Sequence, residues 1–167
     1  MRIAVTGPES CGKTELSVLL AEGLGVRLLP ELCREYLNRL DRPYRHDDVL
    51  QMATDQHDQY LLAANDIVPF VADTESLVMR IWYREKYERE SPDIMKMWTR
   101  EQFDLYLLCM PDLPWVDDPL RENPHDRERL FDLYQAELQG AGRRYAVVSG
   151  LGDNRLQCAL AAIRNAR

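Results

Sequence analysis

The residues best suited to do chemistry come early in the chain. Gly7-Pro8-Glu9-Ser10-Cys11-Gly12-Lys13-Thr14 satisfies the pattern G-x-x-x-x-G-K-[ST] in full. The apolar run Ile3-Ala4-Val5 precedes it, and an amphipathic helical stretch follows from residue 13. In that order a glycine-bearing loop turns its backbone N–H groups and a helix N-terminus toward one point, which suits a phosphate. The Lys13 ammonium would reach β- and γ-phosphates, and the Thr14 hydroxyl would be the protein ligand of Mg²⁺. Residues 7–14 therefore read as a nucleoside triphosphate site.

A second metal-holding group is expected at the end of a neighbouring strand, and Asp73, after Phe70-Val71-Ala72, has that position. Asp73 would equally cap the helix that follows it, and the two roles do not exclude each other. Glu31 falls just past another short apolar run, with Arg34 and Glu35 behind it. A carboxylate there could orient an attacking hydroxyl and take its proton; it could also simply favour a helix N-terminus.

The longest irregular stretch runs from Pro111 through Pro114, Pro119 and Pro124 and carries Trp115, Asp117, Asp118, Arg121 and Arg127. Loops of this length inside compact domains are often functional lids. Arginines closing over a transferred phosphoryl group would stabilise its charge, which makes Arg121 and Arg127 candidates. Arg127 and Arg129 also fit a solvated helix face.

These groups need a scaffold. Short apolar runs at 2–6, 26–29, 67–72, 104–109 and 145–148 read as strands buried on both faces. Pro69 lacks a ladder donor and argues for a start at Phe70 in the third. Helices are expected at 13–24, 33–40, 46–65, 75–88, 92–102, 124–140 and 152–166. The alternation implies an α/β fold with a five-stranded parallel sheet, in three layers. A single domain, 1–167, with a lid at about 112–129 is the expected organisation. Among the remaining residues, Trp82, Tyr83 and Tyr87 read as packing, with one of them able to approach a substrate ring beside Asp73. Met95 and Met97 read as core filler.

Composition narrows the function classes. The chain has 167 residues, 21 Lys and Arg against 28 Asp and Glu, and a net charge of -7. That acidity argues against a nucleic-acid partner, so an anionic ligand must be caught locally. Cys11, Cys33, Cys109 and Cys158 are far apart, and with His46, His57 and His125 they form no metal-ligand spacing. No apolar run approaches the ~20 residues of a membrane span. Nor does the N-terminal run reach the length of a signal peptide, so reduced thiols and a cytoplasmic location are expected. Were Cys11 exposed, bound nucleotide would protect it from alkylation.

Several of these segments stand in an order that resembles a known family. They are residues 7–14, Glu31-x-x-Arg34-Glu35-Tyr36, Gln51-Met52-Ala53, His57-x-Gln59-Tyr60, Asp73-Thr74-Glu75, Phe103-Asp104 and Trp115-Val116-Asp117-Asp118-x-Leu120-Arg121. The resemblance is to the ribosylnicotinamide kinase domain of NadR-type NAD-salvage proteins, and it covers nearly the whole chain, without the adenylyltransferase domain that can precede this kinase. It implies a P-loop kinase fold and transfer of the ATP γ-phosphate to the 5′-hydroxyl of nicotinamide riboside, giving nicotinamide mononucleotide, with ATP and Mg²⁺ as cofactors. It implies that Glu31 and Arg34 meet the acceptor, that Asp73 serves metal and substrate, and that Arg121 belongs to the lid. It further implies that Asp117 or Asp118 lies near substrate or lid and that Tyr60 stacks on a base. Departures are Pro30 where the family tends to have an aromatic, Glu75 where it often has aspartate, and Pro119 where it often has glycine. Reaction type therefore transfers better than acceptor identity.

Two rival readings remain at this stage. One is a P-loop kinase of another nucleoside-like acceptor; the other is a nucleotide-binding regulatory NTPase that uses the loop as a switch. A switch would need neither an acceptor carboxylate nor an arginine-bearing lid, so the enzyme is favoured. The expected partner is a small-molecule substrate, with no nucleic acid and no membrane, and oligomeric state left open.

Overall fold

The computed structural model describes residues 1–66 and 68–166. Along the chain run β1 (Arg2–Thr6), α1 (Lys13–Leu24), β2 (Arg27–Leu29), α2 (Cys33–Asn38), α3 (His46–Asn65) and β3 (Phe70–Asp73). They are followed by α4 (Ser76–Tyr87), α5 (Pro92–Arg100), β4 (Leu105–Cys109), α6 (Arg127–Gly140), β5 (Tyr145–Val148) and α7 (Asp153–Ala166). At least one helix separates each strand from the next, so all five can run parallel. They do, in the order β2-β3-β1-β4-β5.

Period-two alternation sends strand residues to two cores. Ala4, Phe70, Ala72, Tyr106 and Leu108 face a core shared with α3, α4, α5 and α6. Ile3, Val5, Val71, Leu107 and Cys109 face the other, shared with α1 and α7. The result is three layers. Burial on both faces holds for β1, β3 and β4 but not for the edge strands, where Arg27 and Val147 are exposed.

Element ends moved for local reasons. β3 starts at Phe70, since Pro69 has no N–H for the ladder; Ile67 of the expected run lies outside the described residues. α6 starts at Arg127 rather than 124, because 124 and 125 form a turn. α4 starts at Ser76, where the Glu75 carboxylate accepts from Leu77 N. Met97 packs on a core, whereas Met95 is exposed and is not core filler. No helix among the described residues is long and apolar enough to cross a membrane.

The α2–α3 corner is held by one buried carboxylate. Asp48 accepts from both guanidinium nitrogens of Arg42 (2.7 and 2.9 Å), from Tyr36 Oη (3.0 Å) and from Arg45 N (2.7 Å). The Arg42 hydrogen bonds hold it well below the usual aspartate range against the opposing effect of burial. A depressed folded pKa stabilises above the unfolded value of about 3.9 and loses that effect as pH falls through the folded one. Asp48→Asn is therefore expected to lower Tm by about 4 °C at pH 7. The gap from the parent chain should close progressively below about pH 4, and thermal melts across pH 2–7 check both statements.

Candidate functional site

The loop between β1 and α1 takes left-handed φ at Gly7 (131°), Ser10 (53°) and Gly12 (75°). At Gly7 a Cβ would lie 2.8 Å from the Cys109 carbonyl oxygen, so only glycine fits against β4. A loop of this kind points its amides at the ligand and its carbonyls away, and those carbonyls need donors. Lys13 Nζ donates to Gly7 O (2.9 Å) and Pro8 O (2.8 Å). The Cys11 thiol also donates to Pro8 O (2.8 Å). Arg127 Nη1 donates to Ser10 O (3.2 Å), Arg155 Nη2 to Cys11 O (2.7 Å) and Leu16 N to Gly12 O (3.1 Å).

Arg155, from α7, reaches beyond the loop. It is buried and donates also to Gly150 O, Met110 O and Asp112 Oδ1, each at 2.7 Å. One guanidinium thus ties the phosphate loop to the exits of β4 and β5.

β3 delivers Asp73 beside the loop. Its Oδ1 is buried without a hydrogen-bond partner. Burial pushes its carboxyl up to about 6, against the pull of the Thr14 hydroxyl and the Lys13 cation. An orphaned buried oxygen next to a hydroxyl fits a divalent cation that keeps most of its ligands as water and phosphate. Among the described residues no cluster of three or more His, Cys, Asp or Glu forms a cage made wholly of protein. Asp73 is not the α4 cap; that role belongs to Glu75, whose other oxygen accepts from Thr6 Oγ1 (2.7 Å). Thr74, between them, has φ 74°, a left-handed value that β-branched residues rarely take.

A cavity of about 1160 Å³ opens over residues 7–14 and runs to Glu31, Cys33, Arg34, Val78 and Trp82. The Glu31 charge reaches both ends, raising the pKa of Lys13 and Asp73 at one and of Cys33 at the other, alongside the effects of burial.

The irregular segment 110–126 straps across this cavity. The Glu9 carboxylate accepts from Glu122 N (3.1 Å) and Asn123 N (2.9 Å). Ser10 Oγ accepts from Val116 N (3.1 Å) and Arg121 Nη1 (3.3 Å). On the far side Arg34 Nη1 donates to Asp118 Oδ2 (2.8 Å). Glu122 accepts from Lys86 Nζ (2.7 Å) and Tyr44 Oη (2.8 Å), and Tyr44 Oη accepts from Trp82 Nε1 (3.1 Å).

The structure thus gathers residues 7–14, Glu31, Arg34 and Arg121 on one cavity and sets Asp73 beside its phosphate-loop end. Three expected residues do not join them. Tyr60 is buried among His57, Phe70 and Phe103 with its hydroxyl on Gln102, so it packs the core and cannot stack on a ligand there. Asp117 accepts from the Trp115 indole (2.8 Å), and its neighbour Asp118 is the one engaged with a cavity residue. Arg127 does not line the cavity, since its guanidinium is spent on Ser10 O and Leu113 O from behind. Cys11 is 1% exposed, so the condition for simple alkylation is not met. His57 is buried against Glu101 (2.9 Å).

Trp82 does reach the cavity, while Tyr83 and Tyr87 pack against each other. Sequence reasoning missed Arg155, Glu122 and Tyr44. The helix expected at 152–166 forms as α7, but nothing local shows that an arginine in its first turn reaches back to residue 11.

No curated protein matches the chain. Among solved structures, a NadR protein in complex with NR is 26% identical with a TM-score of 0.80, the match covering 98% of this chain and 50% of that one. A NadR protein in complex with NAD and AMP-PNP is 24% identical (TM-score 0.77; 98% and 48% covered). The chain thus spans about half the length of these NadR structures. Thymidylate kinase from Ehrlichia chaffeensis shares the fold at 16% identity (TM-score 0.72; 100% and 98% covered). The family described as AAA domain matches residues 2–155. The chain belongs to the AAA domain family, with a P-loop kinase fold similar to that of the NadR-type ribosylnicotinamide kinase domain.

Proposed function

We propose that this chain is an ATP- and Mg²⁺-dependent kinase that phosphorylates the 5′-hydroxyl of nicotinamide riboside, giving nicotinamide mononucleotide. One observation carries the reading: a single cavity is lined by the phosphate loop, the Glu31 carboxylate and the Trp82 ring. The likeness to a NadR protein in complex with NR supports the choice of acceptor.

In this reading the whole chain is one kinase domain, and the strap, within about 112–129, is its lid. Lys13 and the loop amides bind the β- and γ-phosphates. Thr14 and Asp73 hold Mg²⁺, which when bound neutralises charge on the phosphate oxygens. Glu31 orients the acceptor hydroxyl and takes its proton as the phosphoryl group departs. Arg121, already on Ser10 of the loop, faces the developing charge, while Arg127 and Arg155 hold the loop's shape from outside the cavity. Trp82 offers its face to the acceptor ring at the end where Arg34 is held by Asp118.

Pro30 favours a second reading within the same class, another nucleoside-like acceptor. Its ring stands in place of an aromatic, and its carbonyl is occupied by Gln56 and Gln59.

An ADP-release assay with MgATP and nicotinamide riboside, cytidine, uridine or adenosine, with product mass, separates the two. Nicotinamide riboside is expected to turn over at least tenfold faster than the others, and a faster neutral nucleoside overturns the acceptor. Glu31→Gln is expected to lower kcat by about 10²- to 10⁴-fold with nucleotide binding intact; normal turnover would remove Glu31 from the mechanism. Arg155→Met leaves the buried Cys11 carbonyl of the phosphate loop and two half-buried carbonyls short of a donor, so KM for ATP should rise about tenfold. KM for the acceptor should stay within about twofold, because the two sites are read separately.

A further inference from the structure

We infer that Cys11 and Cys109 form an oxidation-sensitive pair, a disulfide modification site that disables the phosphate loop when closed. The two thiols come from different elements, Cys11 from the loop and Cys109 from the last position of β4. They meet in one buried cluster on the α1/α7 side of the sheet. Leu108 pairs with Thr6, which brings Cys109 alongside Gly7. The Cys11 sulfur lies 3.3 Å from where a Gly7 Cβ would be, and a Gly7 Cβ would meet the Cys109 backbone. The Cys11 sulfur and the Cys109 backbone thus meet at the same point of Gly7, inside one buried cluster.

The pair is chemically asymmetric, as a nucleophile and a resolving thiol should be. Burial alone would push Cys11 up, but hydrogen bonding from Cys109 and the Lys13 and Arg155 cations bring it down to about 7. Cys109 is pushed well up by its bond to Cys11 and by burial. Cys11, though only 1% exposed, borders the cavity while Cys109 does not, so an oxidant as small as water meets Cys11 first. The other two thiols have no such partner among the described residues: Cys33 faces Met79 Sδ (3.5 Å) and Cys158 lies near Val147 O (3.8 Å).

With hydrogen peroxide as the oxidant, the Cys11 thiolate attacks one peroxide oxygen and the O–O bond breaks. Protonation gives a Cys11 sulfenic acid and water. The Cys109 sulfur then attacks the Cys11 sulfur, its proton leaves with the hydroxyl as a second water, and the S–S bond forms. Two thiols and one peroxide thus give one disulfide and two waters. The bond shortens a non-bonded sulfur contact to about 2.05 Å. Cys109 cannot move to meet it, because Val148 pairs with it on one side and Gly7 lies against it on the other. Cys11 must move instead, taking its amide out of the phosphate cradle and its carbonyl off Arg155.

The inference rests on residues 7–14 being a nucleotide site and not on the acceptor, and its readouts need no kinase assay. The chain is treated with hydrogen peroxide, unfolded, blocked with iodoacetamide and digested with trypsin. Peptides 3–13 and 101–121 are expected as one cross-linked species, two hydrogens lighter than their sum. Binding of AMP-PNP should weaken at least tenfold in step with that species and return on adding dithiothreitol. Cys109→Ala should bind AMP-PNP normally before treatment and keep most of that binding after the same exposure. Cross-links to Cys33 or Cys158, sulfinic acid on Cys11 with Cys109 still free, or equal loss of binding in Cys109→Ala would each overturn the pair.

Discussion

Aiming a row of backbone amides at a phosphate leaves the opposite row of carbonyls for the protein to satisfy, and an unpaired buried carbonyl costs about 1–3 kcal/mol. Here the donors are mostly cations: Lys13 from the loop itself and, from distant parts of the chain, Arg127 at the start of α6 and Arg155 of α7. The same three positive groups offset the net acidity of the chain at the one place where an anion would sit. Structural need and ligand attraction are met by the same side chains. The long crossovers of a parallel sheet make this possible, since they return α6 and α7 to the edge where β1 ends.

The strap extends this logic from one end of the cavity to the other. Two loop residues, Glu9 and Ser10, hold it by its own amides, and its Glu122 and Asp118 reach Tyr44, Lys86 and Arg34 on the far wall. Trp82 is oriented through Tyr44 by the same Glu122 whose amide rests on the phosphate loop. The two ends of the cavity are therefore joined by a chain of three hydrogen bonds, from Glu9 through Glu122 and Tyr44 to Trp82. These links are exposed or half-buried, so each is individually weak and open to competition by water.

Much of the architecture was legible because its causes are local. A proline at 69 fixes where β3 starts, and the motif from Gly7 to Thr14 needs a strand before it and a helix after it wherever it occurs. The position of Asp73 at a strand end was legible for the same reason. Tyr60 shows where local reasoning stops, because an aromatic at helical spacing can face a ligand or three other rings, and only the packing of α3 on β3 decides. Arg127 and Arg155 illustrate the complementary failure. Arg127 was expected to close over the phosphoryl group and nothing marked Arg155, yet each donates to a loop carbonyl more than 100 residues away. Asp117 and Asp118 stand adjacent in a turn, where one bond to an indole suffices to decide which of them faces the cavity.

Thr74 has a consequence for anyone who would stabilise this chain. Glycine or asparagine tolerates a φ of 74° far better, so threonine there carries roughly 1–3 kcal/mol of strain. The strain sits between a carboxylate left without a hydrogen bond on one oxygen and a carboxylate that caps a helix. A selection for heat resistance would find position 74 early, because relief lies one codon from the site. What it would relax is the stiffness that keeps Asp73 and Glu75 in separate roles, so the most accessible gain in durability lies where it would blur the geometry around the phosphate loop.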